Sequence, residues 1–279
     1  MIWLRRLGRL LLPLIALGLG LAGWGYWGAV SDPVVRSARI AVPGWPQGFP
    51  PVRAVLISDL HVGGPDMPAE RLAGIVARIK TLRPDLVLVA GDLISDKRTG
   101  TRFYSMAEAV APLAELRATF GTIAVLGNHD HWRNAAEARQ ALTAVGVHVL
   151  DNDAMVAGPI AVGGLDDDFT DHDDLPRTLA ALAPLRGPRL ILSHSPDPFP
   201  EVPPDVPLMV AGHTHCGQIA LPFIGPVSTM SRYGRRYACG LVREGGKTLV
   251  VSAGLGTSIL PLRIGAPPDL WVLELGPEP

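Results

Sequence analysis

The chain has 279 residues, 48% of them hydrophobic and 6% aromatic, with 31 Gly, 27 Pro and a net charge of −1. That is enough apolar material for the core of one large domain or two small ones, and the near-neutral balance argues against the strongly basic face of a nucleic-acid binder. Cys216 and Cys239 are too few for a disulfide scaffold, and the sequence leaves open whether they are free or joined in one bridge.

The chain opens with Arg5, Arg6 and Arg9, followed by an uncharged run over residues 10–30. That run is long enough for a helix to cross a bilayer, and Trp24, Tyr26 and Trp27 near its far end suit an interfacial belt. Its length exceeds the usual signal-peptide h-region and Ala29-Val30-Ser31 is a poor cleavage site, so an uncleaved anchor is favoured over a cleaved signal. With all nearby positive charge ahead of the run, the remainder is expected outside the cytoplasm. The Arg5-Arg6 pair also allows twin-arginine export. Three segments are expected: an anchor or signal over 1–31, a Pro/Gly-rich connector over 32–51 with one short strand at 38–42, and a globular domain over 52–279.

From Val52 a recurrent unit appears. Residues 53–57 form an apolar strand ending in Ser58-Asp59-Leu60-His61. Residues 68–82 have helical spacing, with Leu72, Ile75, Val76 and Ile79 on one face and Pro near the start. A second strand, 86–90, ends in Gly91-Asp92; 104–117 reads as a helix; and the strand 123–126 ends in Gly127-Asn128-His129-Asp130 ahead of a helix over 134–145. Two further strands, 189–192 and 207–210, end in Ser193-His194 and Gly212-His213-Thr214-His215. Strands alternating with helices indicate α/β layering.

One strand that ends in a polar residue is unremarkable. Five in series, each finishing in Asp, His or Asn with no Lys or Arg among them, are hard to explain as capping. Carboxylate, imidazole and amide oxygen form a borderline-hard donor set suited to Mn, Fe or Zn. Asp59, His61, Asp92, Asn128, His194, His213 and His215 make seven donors, too many for one tetrahedral site and enough for two metals sharing a carboxylate. In Asp59-x-His61 and His213-x-His215, residues i and i+2 of an extended strand end point the same way.

The blocks SDLH (58–61), GD (91–92), GNHD (127–130), SH (193–194) and GHTH (212–215), in that order, resemble the calcineurin-like metallophosphoesterase superfamily. GHTHCGQIALP, YGRRYACGL and SAGLGTSILPLRIGAPPDL resemble its membrane-anchored bacterial branch, which includes phosphodiesterases and UDP-2,3-diacylglucosamine hydrolases. The resemblance implies an α/β (α+β) fold, a two-sheet β-sandwich flanked by helices, here preceded by one transmembrane helix. It implies one divalent metal on Asp59, His61 and His215, a second on Asn128, His194 and His213, and Asp92 as the bridge. His129 would protonate the leaving oxygen or stabilise phosphoryl charge, with Asp130 orienting it. The activity implied is hydrolysis of a phosphodiester or pyrophosphate by metal-activated water, with no Ser or Cys nucleophile.

Other candidates weigh less. Asp166–Asp168 and Asp171–Asp174 read first as a solvated acidic loop, with a cleft edge or metal site as alternatives. Arg232, Tyr233, Arg235, Arg236 and Tyr237 are either ordinary surface or a substrate-phosphate clamp built on Arg235 and Arg236. Cys216 reads as a packing residue, and His131, His148 and His172 as structural or exposed. A phosphoester substrate, lipid-linked or from the cell envelope, and the bacterial inner membrane are the expected partners, and nucleic acid is not. The functional alternatives are a UDP-2,3-diacylglucosamine pyrophosphatase, which would need the cytoplasmic face, and a non-catalytic metal-binding membrane scaffold.

Overall fold

The computed structural model describes residues 2–277, with side chains from residue 12 onward. Helix α1 (Ile2–Val30) leads the chain, and its stretch Leu12–Val30 is long and apolar enough to cross a membrane by length and composition. Arg5, Arg6 and Arg9 lie among the residues whose side chains are outside the description. Next come β1 (Val34–Ala41), β2 (Val52–Ser58), α2 (Ala69–Thr81), β3 (Leu86–Ala90) and α3 (Met106–Val110). Then follow β4 (Thr122–Val125), α4 (Asn128–Ala144), β5 (His148–Val149), β6 (Asp153–Ala157), β7 (Ile160–Leu165) and α5 (Leu175–Leu182). Strands β8 (Arg189–Ser193) and β9 (Leu208–Ala211), the small hairpin β10 (Ala220–Leu221) and β11 (Gly225–Pro226), and β12 (Gly240–Glu244), β13 (Lys247–Val251) and β14 (Asp269–Gly276) complete it.

Among the described residues, twelve of the strands form two six-stranded sheets, and β10 and β11 pair only with each other. One has the order β1-β14-β2-β3-β4-β5, the other β12-β13-β9-β8-β7-β6. Period-two alternation explains how each strand serves two cores. In β2 and β3, Ala54, Leu56, Leu86 and Leu88 face the second sheet and meet Val162, Leu190 and Val210. Their neighbours Val55, Ile57, Val87 and Val89 face the opposite way and pack on Leu72, Ile75, Val76 and Ile79 of α2. The second sheet covers its outer side with Leu175 and Leu182 of α5, Phe199 and Tyr237. The result is a sandwich of two sheets with helices on the outer faces, as the family resemblance implies.

Local departures from the sequence reading have physical causes. The helix expected over 104–117 stops at Val110 and continues as a 3₁₀ turn over Ala111–Glu115, because Pro112 cannot donate into an α-helical ladder. The helix expected from 134 starts at Asn128, with extended backbone at Asn134 (φ −179°, ψ 97°) dividing it into two segments. The strand foreseen in the connector runs from Val34 and pairs in parallel with β14 along its whole length, Val34 to Asp269 and Ala41 to Gly276. The connector thus supplies an edge strand of the first sheet.

Candidate metal centre

Strands β2, β3 and β4 run parallel to one another, as do β8 and β9, so their C-terminal ends gather at one rim. That rim is where ligands bind in sheets of this kind. Asp59, Asp92, Asn128, His194 and His213 follow these strand ends, and His61 and His215 sit two residues further on. All seven are buried. Five of them hold a left-handed backbone: Asp59 (φ 48°), His61 (43°), Asp92 (56°), His213 (68°) and His215 (51°). Each such residue costs roughly 1–3 kcal/mol, and strain of this kind concentrates at functional sites. Gly127 provides the room this requires, since a Cβ there would collide with the Asp92 carboxylate and crowd the His194 ring.

The donor atoms converge on Asp92. Its Oδ2 lies 3.4 Å from Nε2 of His61 on one side and 3.4 Å from Nε2 of His194 on the other. On the first side, His61 Nε2 is 3.2 Å from His215 Nε2, which is 3.5 Å from Asp59 Oδ1. On the second, Asn128 Oδ1 is 3.1 Å from His194 Nε2 and 3.0 Å from His213 Nδ1, with those two nitrogens 3.1 Å apart. Spacings near 3.3 Å are what donors about 2 Å from a shared cation would show.

Electrostatics point the same way. Burial holds His61 and His215 well below the usual histidine range and pushes His213 down to about 3, so each presents an imidazole lone pair. Burial raises Asp59 to about 6. Burial also opposes charge on Asp92 and His194, but their mutual attraction outweighs it, holding the carboxylate low and the imidazole high. Two buried carboxylates surrounded by lone-pair donors fit a divalent cation, which would supply the positive charge that the interior lacks. Asp59, His61 and His215 form one cluster able to hold an ion, and Asp59, Asp92 and His194 another.

His129 stands at the edge of the cluster. Its Nε2 lies 4.0 Å from Asp92 Oδ2, and its ring is edge-on to His61 and to Trp132. The orienting role assigned to Asp130 is corrected by the geometry. Asp130 turns back to accept the amides of Asp92 and Leu93 at 2.9 Å and of Gly127 at 3.0 Å, bracing the β3 and β4 turns. The group on His129 Nδ1 is Asp96, 2.7 Å away. Burial opposes protonation of His129, yet Asp92 and Asp96 together raise its pKa.

The acidic loop is corrected over 166–168, while Asp171 and Asp174 are exposed as read. Asp166, Asp167 and Asp168 are buried rather than solvated, with Asp166 bonded to His131 at 2.8 Å and Asp168 to Arg232 at 2.8 Å. The clamp assigned to Arg235 and Arg236 is not present. Arg236 pairs with Glu244 at 2.6 Å, exposed Arg235 lies near the Pro226 carbonyl, and neither lines the cavity over the cluster. Cys216 is bridged to Cys239, Cα to Cα 4.7 Å, which ties the His215 turn to the start of β12.

Three features escaped the sequence reading. Arg263, fully enclosed, donates to the carbonyls of Ala253, Gly254, Gly256 and Ala266 and approaches His215 Nδ1 at 3.3 Å; an isolated Arg in an apolar run gave no signal of this. Lys97 forms a buried pair with Asp66, both oxygens within 3.0 Å, and bonds Thr257, locking two loops behind His61. A cavity of about 330 Å³ opens over Asp92, Asn128, His129, His213 and His215, with Trp132, Phe169, Ile219, Met230, Ile259 and Leu260 among its walls. Among the described residues, no Lys or Arg lines it.

A fold of two sheets with a buried Asp/His/Asn cluster at the parallel strand ends defines a metal-dependent hydrolase of phosphoesters. The family model for the calcineurin-like phosphoesterases matches residues 52–217, and the chain belongs to that family. It is 33% identical to the uncharacterized metallophosphoesterase YkuE of Bacillus subtilis, over 94% of this chain and 93% of that protein. It is 31% identical to phosphodiesterase YaeI of Escherichia coli, over 81% and 82%. A transmembrane protein with metallophosphoesterase domain from Danio rerio is 29% identical over 91% of this chain and 60% of its own length. Among solved structures, a 5'-nucleotidase precursor from Thermus thermophilus aligns with 74% of this chain and 49% of its own, at 14% identity and a TM-score of 0.43.

Proposed function

We propose that the chain is a dinuclear phosphodiesterase held at a bacterial inner membrane by α1, with its catalytic domain on the extracytoplasmic side. The observation that carries the reading is Asp92, equidistant from His61 and His194, with a separate donor set completing each side. Asp59, His61 and His215 would hold one divalent ion and Asn128, His194 and His213 the other, the ions being Mn, Fe or Zn. Bound there, such ions supply Lewis acidity and an activated water near neutral pH. His129 carries the proton for the leaving oxygen, and Asp96 keeps it charged and aimed at the cavity. The apolar walls accept a substrate with an apolar body, and the lack of a lining cation disfavours a dianionic monoester.

The Cys216–Cys239 bridge supports an oxidising compartment, the side already favoured by the arginines ahead of the apolar stretch. It weighs against the UDP-2,3-diacylglucosamine alternative, which needs the cytoplasmic face. The test is turnover by the full chain in detergent with Mn, Fe or Zn against bis-p-nitrophenyl phosphate, p-nitrophenyl phosphate and UDP-2,3-diacylglucosamine. Metal-dependent cleavage of the diester, abolished in Asp92→Ala, is expected. Metal binding without turnover of any of the three would favour a scaffold. A reporter fused after Pro279 reads the topology, and activity confined to the cytoplasm would reverse it.

A further inference from the structure

We infer that the β10–β11 hairpin and the loop 258–262 form an apolar collar that enters the headgroup region of the bilayer beside α1, so that the catalytic cavity opens onto the membrane surface. This rests on reading α1 as a membrane anchor.

The collar is defined by exposure. Leu221, Phe223, Ile224, Val227, Ile259 and Leu260 are all exposed, and Phe223 at the hairpin tip is completely so. Isolated exposed apolar residues are ordinary, but an apolar cluster on two adjoining segments marks an interaction surface. Phe223 also holds a left-handed backbone (φ 62°), a conformation unfavourable for a bulky residue and given no packing in return within the chain.

The occupant follows from what the collar is fastened to. The two segments are stitched together: Gln218 donates to the Leu260 carbonyl at 3.0 Å and accepts from the Ser258 amide at 2.8 Å. The Ala220 amide donates to the Ile264 carbonyl at 2.7 Å. The same strip is joined to the helix, since the Arg263 amide donates to the Gly25 carbonyl at 2.8 Å. Gly28 lies so close to Arg263 that a Cβ would overlap its carbonyl, and the side chains of Leu262 and Ile264 pack over Gly25. Gly25 belongs to the turn carrying Trp24, Tyr26 and Trp27, which is the level at which a spanning helix leaves the hydrocarbon. From Leu12 to Trp24 the helix stands clear of the domain. The collar is therefore fastened to the helix at the depth of the interface, and a bilayer around α1 is the apolar partner next to it. Ile219 and Val227 on the hairpin and Ile259 and Leu260 on the loop also line the cavity. Its mouth thus shares residues with the collar, and a phosphodiester in a lipid headgroup reaches it without leaving the membrane.

The test uses the full chain with a single added cysteine, Leu17→Cys, Phe223→Cys or Arg117→Cys, since the native pair is bridged. Each is labelled with an environment-sensitive fluorophore and reconstituted in phosphatidylethanolamine–phosphatidylglycerol vesicles with or without brominated acyl chains. Position 117 is exposed and precedes β4, at the sheet end opposite the site. Quenching at 17 and 223, several-fold above that at 117, together with retained diester turnover in Phe223→Cys, is the expected result. Strong quenching at 17 with 223 no stronger than 117 would overturn the collar and leave the anchor standing. Weak quenching at 17 as well as at 223 would overturn both.

Discussion

His129 bonds to Asp96, 2.7 Å from its Nδ1, and not to Asp130 beside it in the chain. Asp130 is buried under the turns it braces, whereas Asp96 is partly exposed on the β3 loop, so the pair joins two strand ends across the mouth of the site.

General acids contribute about 10²–10⁴-fold, so His129→Ala should lower kcat by roughly that factor with little change in KM, as expected for an interaction made only in the transition state. The loss should be smaller with a p-nitrophenolate leaving group than with an alkoxide, and metal content should be unchanged. Asp96→Asn removes the anion that raises the His129 pKa. The basic limb of its pH–rate profile should therefore move to lower pH, and kcat should fall by about 10–100-fold, as for other groups that act through a neighbour. An unmoved basic limb would exclude Asp96 from this role.

Asp92→Ala should empty both halves of the centre, because its carboxylate faces His61 and His194 equally. His61→Ala should weaken only the half built on Asp59 and His215. Metal analysis of the two variants checks this; two ions per chain retained in Asp92→Ala would contradict a bridge.

Arg263→Met should be strongly destabilising despite its apolar surroundings. The guanidinium satisfies four buried carbonyls, and a buried polar group left unpaired costs about 1–3 kcal/mol. A loss of about 3 kcal/mol or more in urea unfolding is expected, together with weaker metal retention on the His215 side.

The His131–Asp166 contact sets a pH dependence away from the metal ligands. Burial opposes the imidazolium, but Asp166 outweighs it and raises the His131 pKa. A histidine raised on folding stabilises fully below its unfolded pKa and loses that contribution as pH climbs through the folded one. The gap in unfolding free energy between wild type and His131→Asn should therefore be about 1 kcal/mol at pH 6 and shrink by pH 8.5. Urea melts at the two pH values measure it.

With no cation among its described lining residues, the cavity should prefer a monoanionic diester to a dianionic monoester. Comparison of kcat/KM for bis-p-nitrophenyl phosphate and p-nitrophenyl phosphate decides this, and a faster monoester would reverse it.

The seven candidate donors were legible because they follow apolar strands, and strand direction carries them to one rim. Residues acting across the fold left no such trace. Asp96 follows Asp92 by four positions, but in a loop that spacing fixes no direction, whereas Asp130, adjacent to His129, looked the better partner. On the first turn of α4 adjacent residues point apart, and the carboxylate found three backbone amides instead. The acidic run at 166–168 misled through composition: its charge is absorbed by His131, Arg139 and Arg232, contributed by segments distant in sequence. Arg236 misled because Glu244 across the turn takes its guanidinium, and Arg235 because it turns to the Pro226 carbonyl instead of the cavity.

Strand β14 lies between β1 and β2, pairing Ala41 with Gly276 on one side and Val52 with Leu275 on the other. The ribosome makes both neighbours early and the strand that joins them more than two hundred residues later. During that interval β1 and β2 present open edges, the sort that recruit foreign strands. Vectorial synthesis thus cannot close the first sheet piece by piece: β1 and β2 have no strand between them until residue 269 and beyond have arrived.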